Sequence, residues 1–427
     1  MSMLGVLRGP RQVLFGAGQR HALGTVVSAL GSRALVCTDA RFGATPEFDH
    51  LVRLLEESGV HVTSYAEVEP DVPVHQVIRC AELAATAGPD VVVGMGGGSC
   101  LDLAKAVAVL LTHGGTPADY YGELRVPGPV LPVVALPTTA GTGSEVTPVA
   151  VLTDPDRVSK VGISSPHLIP HAAVCDPELT VRCPPPLTAS AGADALSHVV
   201  EAFTAVRRPV TSELATERVF VGKNELTDTY ALLGVRLISA SLHRAWSTPG
   251  DVGAREAMML GATAGGFALG TAGTAAAHAI QYPVGALTHT PHGVGVGALL
   301  PYVMEFNRPA RVPELAAVAV AMGASPEWSA EDLADEAIDR VAALLASVGI
   351  PTTLDELGLP ADQLRWTAEQ ASGAERLVAN NPRPLDVDAL EHIVRAAHAG
   401  DRRALREAVP PRAVPAPAGL GATGGAR

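Results

Sequence analysis

The chain has 427 residues, which allows two or three domains and far more core than a single small fold needs. Its net charge is −13, from 31 Lys plus Arg against 44 Asp plus Glu, which argues against binding nucleic acid or an anionic membrane through a broad basic face. It is 47% hydrophobic and 18% charged, which argues against a disordered chain, and with 4% aromatics its core must come from Ala, Val and Leu between glycine and proline turns.

The first third alternates strand and helix patterns. Residues 33–37 (RALVC) predict a short buried strand ending just before Asp39. A helix is predicted over 46–58, with Phe48, Leu51, Leu54 and Leu55 on one side. Strand 60–65, helix 72–86 and buried strand 90–93 follow. A glycine turn at 94–99 then opens a helix through Leu111, and 131–136 is another strand. This order predicts a parallel sheet covered by helices. Strands at 149–153 and 158–163 flank Asp154-Pro155-Asp156-Arg157, a hairpin turn.

The texture changes at Cys183-Pro184-Pro185-Pro186. Three prolines continue neither a helix nor a central strand, so a boundary is placed after residue 183. Helical periodicity then dominates, at 187–206, 228–246, 251–269, 273–287, 313–322, 330–348 and 386–399. The expected organisation is an α/β dinucleotide-binding domain over 1–183 and an all-helical metal-binding domain over 184–409. A Pro/Ala/Gly-rich disordered tail is expected over 410–427.

Five widely spaced cysteines (Cys37, Cys80, Cys100, Cys175 and Cys183) form no CxxC and predict buried, reduced thiols. The N-terminal residues lack a signal-peptide layout, and a cytoplasmic protein is expected. From Ala257 to Met304 there is no Asp, Glu, Lys or Arg. The stretch is broken by His278, Gln281, Pro283, His289, Pro291 and His292. It reads as a buried helix pair with its histidines satisfied inside the protein, rather than a membrane span.

Two glycine-rich turns follow predicted strands. In the first, Gly96-Gly97-Gly98-Ser99 opens a helix that carries Asp102 and Lys105. Glycines there admit a ligand close to the backbone, and the helix N-terminus offers N–H groups to phosphate. The alternative is a plain turn with Ser99 and Asp102 as a capping box. The second, Thr138-Thr139-Ala140-Gly141-Thr142-Gly143-Ser144, concentrates hydroxyls and N–H donors. Two such loops at strand ends suggest a crevice for a dinucleotide. Asp39 can accept from an adenosine ribose and repel a 2′-phosphate, favouring NAD over NADP, or it is an exposed turn residue. Lys105 and Lys160 are cations available near the phosphates. Asp194 and His198, four apart on a helix, share one face. With His278 and His292 they make one carboxylate and three imidazoles, a set suited to a divalent transition metal, Fe²⁺ or Zn²⁺.

GGGSxxDxxK at 96–105, PTTAGTGSE at 137–145, GADALSHxxEA at 192–202, PHG at 291–293 and Asn381-Pro382-Arg383-Pro384 together resemble the iron-containing (group III) alcohol dehydrogenases. The resemblance spans about residues 10–400. It implies the dehydroquinate synthase-like fold of that family, with the active site in the cleft between an α/β and a helical domain. It implies Asp194, His198, His278 and His292 as metal ligands, with iron favoured. It also implies a cofactor site of Asp39, Gly97, Gly98, Ser99, Asp102, Thr138, Thr139, Thr142 and Lys160. Two departures are similar to the hydroxyacid-oxoacid transhydrogenase branch, which works on small 4-hydroxy acids. Tyr282 replaces a second histidine four residues after the third ligand, and 207–222 looks inserted.

The expected activity is metal-dependent, NAD-linked hydride transfer (NADP being the alternative) between nicotinamide and a small aldehyde, ketone or hydroxy acid. The expected assembly is a homodimer or higher homo-oligomer. His292 and Tyr282 are the catalytic candidates. Tyr282 is a proton donor if a metal lowers its pKa from the usual ~10, and otherwise a pocket wall. Arg207, Arg208 or His289 are candidates for binding a substrate carboxylate or phosphonate, with surface placement the plainer reading of the arginines. The alternatives are a transhydrogenase that retains NAD and a non-redox lyase resembling dehydroquinate synthase. Asp194 with three histidines weighs against the lyase.

Overall fold

The computed structural model describes residues 4–157 and 160–406. The expected tail at 410–427 and Val158, in the second strand of the expected hairpin, lie outside the described residues.

The first half contains β1 (Gln12–Phe15), α1 (Leu23–Ser28), β2 (Arg33–Cys37), α2 (Ala40–Gly43), α3 (Pro46–Glu57), β3 (His61–Tyr65), α4 (Val74–Ala87), β4 (Val91–Gly96) and α5 (Gly98–His113). It continues through β5 (Gly122–Glu123), β6 (Val133–Pro137), β7 (Val149–Leu152), β8 (Val161–Ser164) and β9 (Ala172–Cys175). Six strands form one sheet in the order β1-β9-β6-β4-β2-β3, parallel at every pairing. β4 and β6 are buried along their whole length, as expected for central strands covered on both faces. Strand alternation splits the apolar residues between two layers. Leu35, Cys37 and Val92 pack with Val77 and Val107 from α4 and α5. Ala34, Val36, Val91 and Val93 pack with Leu23, Leu51 and Leu55 from α1 and α3. The hairpin β7–β8, joined by β5, forms a second small sheet.

After β2 the chain crosses to β3 on one side, whereas after β4 it crosses to β6 on the other. The carboxyl ends of β2 and β4 therefore flank the point where the winding reverses, the usual place for a ligand crevice in such a sheet. Asp39 follows β2, and Gly97 to Ser99 follow β4.

The second half contains α6 (Pro185–Thr204), α7 (Leu214–Glu217), α8 (Glu225–Ser247), α9 (Val252–Ala272), α10 (Ala276–Thr288), α11 (His292–Ala321), α12 (Ala330–Ser347), α13 (Leu364–Ser372), α14 (Glu375–Val378) and α15 (Val387–Ala399). Its described residues hold no β-ladder, only one isolated bridge between Arg207 and Gly222. The triple proline opens a helix: Pro184 is the N-cap and the next two prolines begin α6, where their missing N–H groups would be unpaired anyway.

Four sequence expectations are corrected. β1 and β9 were not anticipated. The helix expected at 313–322 is the end of a much longer α11, bent at Arg311 (φ −139°, ψ 28°) and containing Pro301, Pro309 and Pro313. Arg311 donates to the carbonyls of Thr204 and Ala205, satisfying the end of α6. The uncharged stretch spans three helices, α9 to α11, rather than a pair, and its histidines are not all satisfied. α13 and α14 were also unanticipated. No helix among the described residues is long and apolar enough to cross a membrane. All five cysteines are free and buried.

The two halves touch backbone to backbone. Gly143, in the left-handed region (φ +64°), lies against α9 at Gly266. A Cβ on Gly266 would sit 2.5 Å from the Gly143 carbonyl oxygen and 2.6 Å from Val146 Cγ2. Backbone cannot yield as a side-chain tip can. Gly266→Ala should therefore destabilise the fold by about 2–3 kcal/mol in denaturant unfolding. Gly253→Ala, on the exposed first turn of the same helix with only Asp251 within ordinary contact, should instead be neutral or stabilise by up to about 1 kcal/mol.

Candidate active site and metal centre

A cleft of about 620 Å³ runs between the carboxyl ends of the sheet and helices α6, α9, α10 and α11. Asp194 and His198 enter it from one face of α6, His278 from α10 and His292 from the first turn of α11. Three imidazoles converge on one carboxylate oxygen. The Nε2 atoms of His198, His278 and His292 lie 3.5, 3.7 and 3.7 Å from Asp194 Oδ1. That oxygen and His278 Nε2 are buried without a hydrogen-bond partner. Metal–ligand bonds near 2.1 Å in a tetrahedron set ligand atoms about 3.4 Å apart. The orphaned atoms therefore fit a divalent ion held between them. The tightest group is Asp194, His278 and His292, whose ligand atoms all lie within 4.8 Å of one another. His198 meets Asp194 from the side, with its ring stacked on His278 at 4.9 Å.

The charges are strongly coupled. Burial opposes ionisation of Asp194, but His198 and His292 outweigh it and hold the carboxyl well below its usual range. Burial pushes His198 and His292 down toward the neutral form that ligates metal. Burial also works against a charge on His278, but Glu201 outweighs it and lifts that imidazole to about 9.

Glu201 was quoted in the sequence motif without a role. It lies on α6 and is 2% exposed. It accepts from Ala275 N (3.0 Å) and Ala277 N (2.7 Å), and its Oε2 is 2.5 Å from His278 Nδ1. It thus caps the start of α10 and orients His278 so that Nε2 faces Asp194. This carboxylate–imidazole pairing is what metal-ligating histidines need.

At the other end of the cleft are Asp39, Gly97, Gly98, Ser99, Thr139 and Thr142. Gly97 caps α5 without a side-chain partner, so the helix start faces the cleft through backbone alone. The two loops interlock: a Cβ on Gly98 would lie 2.5 Å from Thr142 Cγ2. The capping box considered from sequence does not form. Ser99 Oγ accepts from Asp71 N (3.2 Å), and Asp102 accepts from Ser144 Oγ (2.6 Å) and Val151 N (2.9 Å). Asp39 spends one oxygen capping α2 through Phe42 N (2.9 Å), and its other oxygen lies near Cys100 Sγ.

Two expectations change. Thr138 is 1% exposed and is not among the cleft-lining residues; its N–H donates to Gly96 O and its carbonyl accepts from Cys183. Lys105 is fully buried behind the loops, donating to Ser144 Oγ (2.8 Å), Thr147 O (3.0 Å) and Val149 O (2.9 Å). Burial drops its ammonium to about 8, and it staples the loop rather than meeting an anion. Lys160 does line the cleft, paired with Asp71.

Tyr282 lines the same cleft, its ring stacked 6.2 Å from that of His292. Burial raises its phenol, opposed by Arg376, so the protein itself does not supply the increased acidity considered from sequence. Arg207 pairs with Glu225 and Asp228, and His289 is the exposed C-cap of α10. Neither they nor Arg208 line the cleft. Arg376 does, and no sequence motif marked it.

The iron-containing alcohol dehydrogenase family profile matches residues 10–177, and the family's C-terminal profile matches 188–398. The chain belongs to this family. It is 35% identical over 390 residues to long-chain-alcohol dehydrogenase 1 of Geobacillus thermodenitrificans (strain NG80-2), covering 90% of this chain and 94% of that protein. It is 32% identical over 390 residues to the NAD-dependent methanol dehydrogenase of Bacillus methanolicus, covering 91% and 98%. A crystal structure of 1,3-propanediol oxidoreductase superposes with a TM-score of 0.86 at 31% identity, covering 92% of this chain and all of that one.

Glu201→Gln keeps the size of the side chain but loses one of the acceptors that fix His278. It should weaken binding of Fe²⁺ or Zn²⁺ by about 10–100-fold, read by competition with a chelator.

Proposed function

We propose that this chain is a divalent-metal-dependent, NAD-linked alcohol dehydrogenase or aldehyde reductase acting on a small aldehyde, ketone or hydroxy acid. The observation that carries the reading is the convergence of three imidazoles on the orphaned Asp194 oxygen, in one cleft with the glycine turn at the sheet's reversal point. Asp194, His198, His278 and His292 would hold the ion. Iron is favoured by the family, and zinc suits the same donors. Such an ion supplies Lewis-acid charge at the substrate oxygen, and a nicotinamide gives or takes the hydride.

The chain's own residues do the positioning. The start of α5 offers backbone N–H groups to the pyrophosphate at Gly97, Gly98 and Ser99, where side chains would obstruct it. Thr139 and Thr142 add hydroxyls. Thr138 and Lys105 hold the two loops in place from behind, and Asp102, which also lines the cleft, ties α5 to Ser144 and Val151. Asp39, whose second oxygen takes only a long contact from Cys100 Sγ (3.7 Å), would accept from the adenosine ribose. Tyr282 has no hydrogen bond to another described residue, and it would pass its proton to the alkoxide oxygen as the carbonyl is reduced. NAD is supported by the NAD-dependent methanol dehydrogenase relative. We take the units as 1–183 and 184–409, in a reducing, cytoplasmic setting suited to five free thiols.

A transhydrogenase that retains NAD is the second reading. The segment 207–222, which is similar to that branch and lines the cleft through Phe220, is the feature that favours it. Turnover of a hydroxyacid–oxoacid pair without added NAD would select it; a strict need for added NAD would remove it.

The purified protein should oxidise NADH with a small aldehyde when supplied with Fe²⁺ or Zn²⁺ and lose activity to chelation. Metal-independent turnover would overturn the assignment. Asp39→Gly should raise the NADPH-to-NADH ratio of kcat/KM about tenfold or more, and an unchanged ratio would remove Asp39 from the ribose site. Tyr282→Phe should lower kcat by at least about 100-fold if the phenol carries the proton. Undiminished turnover would make it a wall.

A further inference from the structure

Three cationic side chains line the cleft, Arg41, Lys160 and Arg376, and Arg376 is the one placed beside the metal ligands. Arg376, on the short helix α14, lines it together with His278, Tyr282 and Phe220. Its Nη1 is buried and has no hydrogen-bond partner, and no carboxylate among the described residues pairs with the guanidinium. A buried guanidinium without a counter-ion is costly. Three features hold it in place nonetheless. The guanidinium lies over the Phe220 ring, 4.2 Å from its centroid. Its Nη1 would be 3.4 Å from a Cβ on Gly273, so the side chain rests against the turn that leads into α10. Asn380, four residues on, donates to the carbonyls of Ala272 and Thr274 and ties the α14 segment to the same turn. Beyond the phenol of Tyr282, the acids that act on Arg376 are Glu123 and Glu201, and Glu201 is taken up by Ala275 N, Ala277 N and His278. Glu123 is committed elsewhere: its Oε2 accepts from Val219 N (2.7 Å) and Phe220 N (3.2 Å).

The inserted segment and Arg376 thus form one device. Glu123 pins Phe220, Phe220 presents the guanidinium, and the free N–H edge is left at the metal end of the cleft. We propose that Arg376 is the specificity-determining residue that binds the anionic end of a bifunctional substrate, a short aldehyde or alcohol whose far end is a carboxylate, sulfonate or phosphonate. The planar guanidinium fork suits such an oxyanion, and pairing it would remove the unpaired-charge cost only when substrate is bound. This rests on the dehydrogenase reading above, whose site it narrows.

The test compares matched pairs differing only in the end group: succinic semialdehyde against butanal, with phosphonoacetaldehyde and sulfoacetaldehyde against propanal to separate the oxyanions. NADH oxidation is followed with Fe²⁺ or Zn²⁺ restored. The wild-type protein should favour at least one anionic member by about 10-fold or more in kcat/KM. Arg376→Gln should reduce that charged-to-neutral ratio by about 30-fold, chiefly through KM, and Arg376→Lys should recover part of it. Succinate should raise the thermal midpoint of wild type but not of Arg376→Gln, a readout independent of turnover. The proposal is overturned if wild type prefers every neutral member, a result no folding defect can cause. It is also overturned if the charged-to-neutral ratio survives in Arg376→Gln. If no aldehyde oxidises NADH at all, the dehydrogenase reading itself fails, whereas turnover of the neutral members without charge preference sinks this proposal alone.

Discussion

One carboxylate oxygen organises the catalytic half. Asp194 Oδ1 is buried, faces three imidazole Nε2 atoms at 3.5 to 3.7 Å and accepts no hydrogen bond. A buried polar atom without a partner is expensive. Here it sits on a helix packed in a core that is mostly Ala, Leu and Val. Small residues let α6, α8, α9 and α11 approach closely enough to bring ligands from three helices to one point. At Gly234, for example, a Cβ would stand 2.5 Å from Val199 Cγ1. The low aromatic content and the uncharged stretch are two faces of that requirement.

The α/β half meets the opposite problem. It must hold a multiply charged dinucleotide without a broad basic surface. Its answer is geometric: a parallel sheet whose winding reverses between β2 and β4, a helix that starts on glycine, and a second loop wedged against the first through Gly98 and Thr142. Lys105 carries a full side chain into this packing, yet its ammonium points at Ser144, Thr147 and Val149 rather than at the cleft. The loop is stiff because its polar groups are paired from behind, leaving its cleft side to backbone donors. Gly143 against Gly266 then fixes the distance between this loop and α9, and so between cofactor and metal ends.

Much of this was legible in the residues. The long periodic segments over α3, α8, α9 and α12 followed from apolar spacing, and the two glycine loops from their place after buried strands. Asp194 and His198 were readable from their i, i+4 spacing. Glu201 lies seven residues from Asp194, two helical turns along the same face, and that arithmetic would have found it. β1 and β9 are four residues each, too short for a period to register. The first two-thirds of α11 were hidden by Pro301 and Pro309, which neighbouring helices tolerate. Thr138 and Lys105 were given to the cofactor because a sequence cannot say which side of a loop faces the ligand. Arg376 had no motif at all; only tertiary packing brings α14 beside α10.

The net charge of −13 sharpens the meaning of that last residue. An acidic protein repels anions at long range, so recognition of an anionic cofactor or substrate depends on local donors inside a low-dielectric cleft, where each is worth more than at the surface. A pyrophosphate placed at the start of α5 would be met by backbone N–H groups. A small substrate beside the metal ligands has no helix start to use, since α10 begins on N–H groups already taken by Glu201. A side-chain cation is the remaining way to read charge there. Segment 207–222 supplies its aromatic support without supplying a competing acid, because Glu123 is occupied in holding that segment's own backbone and Glu201 in holding the start of α10. The same local economy of donors therefore shapes both ends of the cleft.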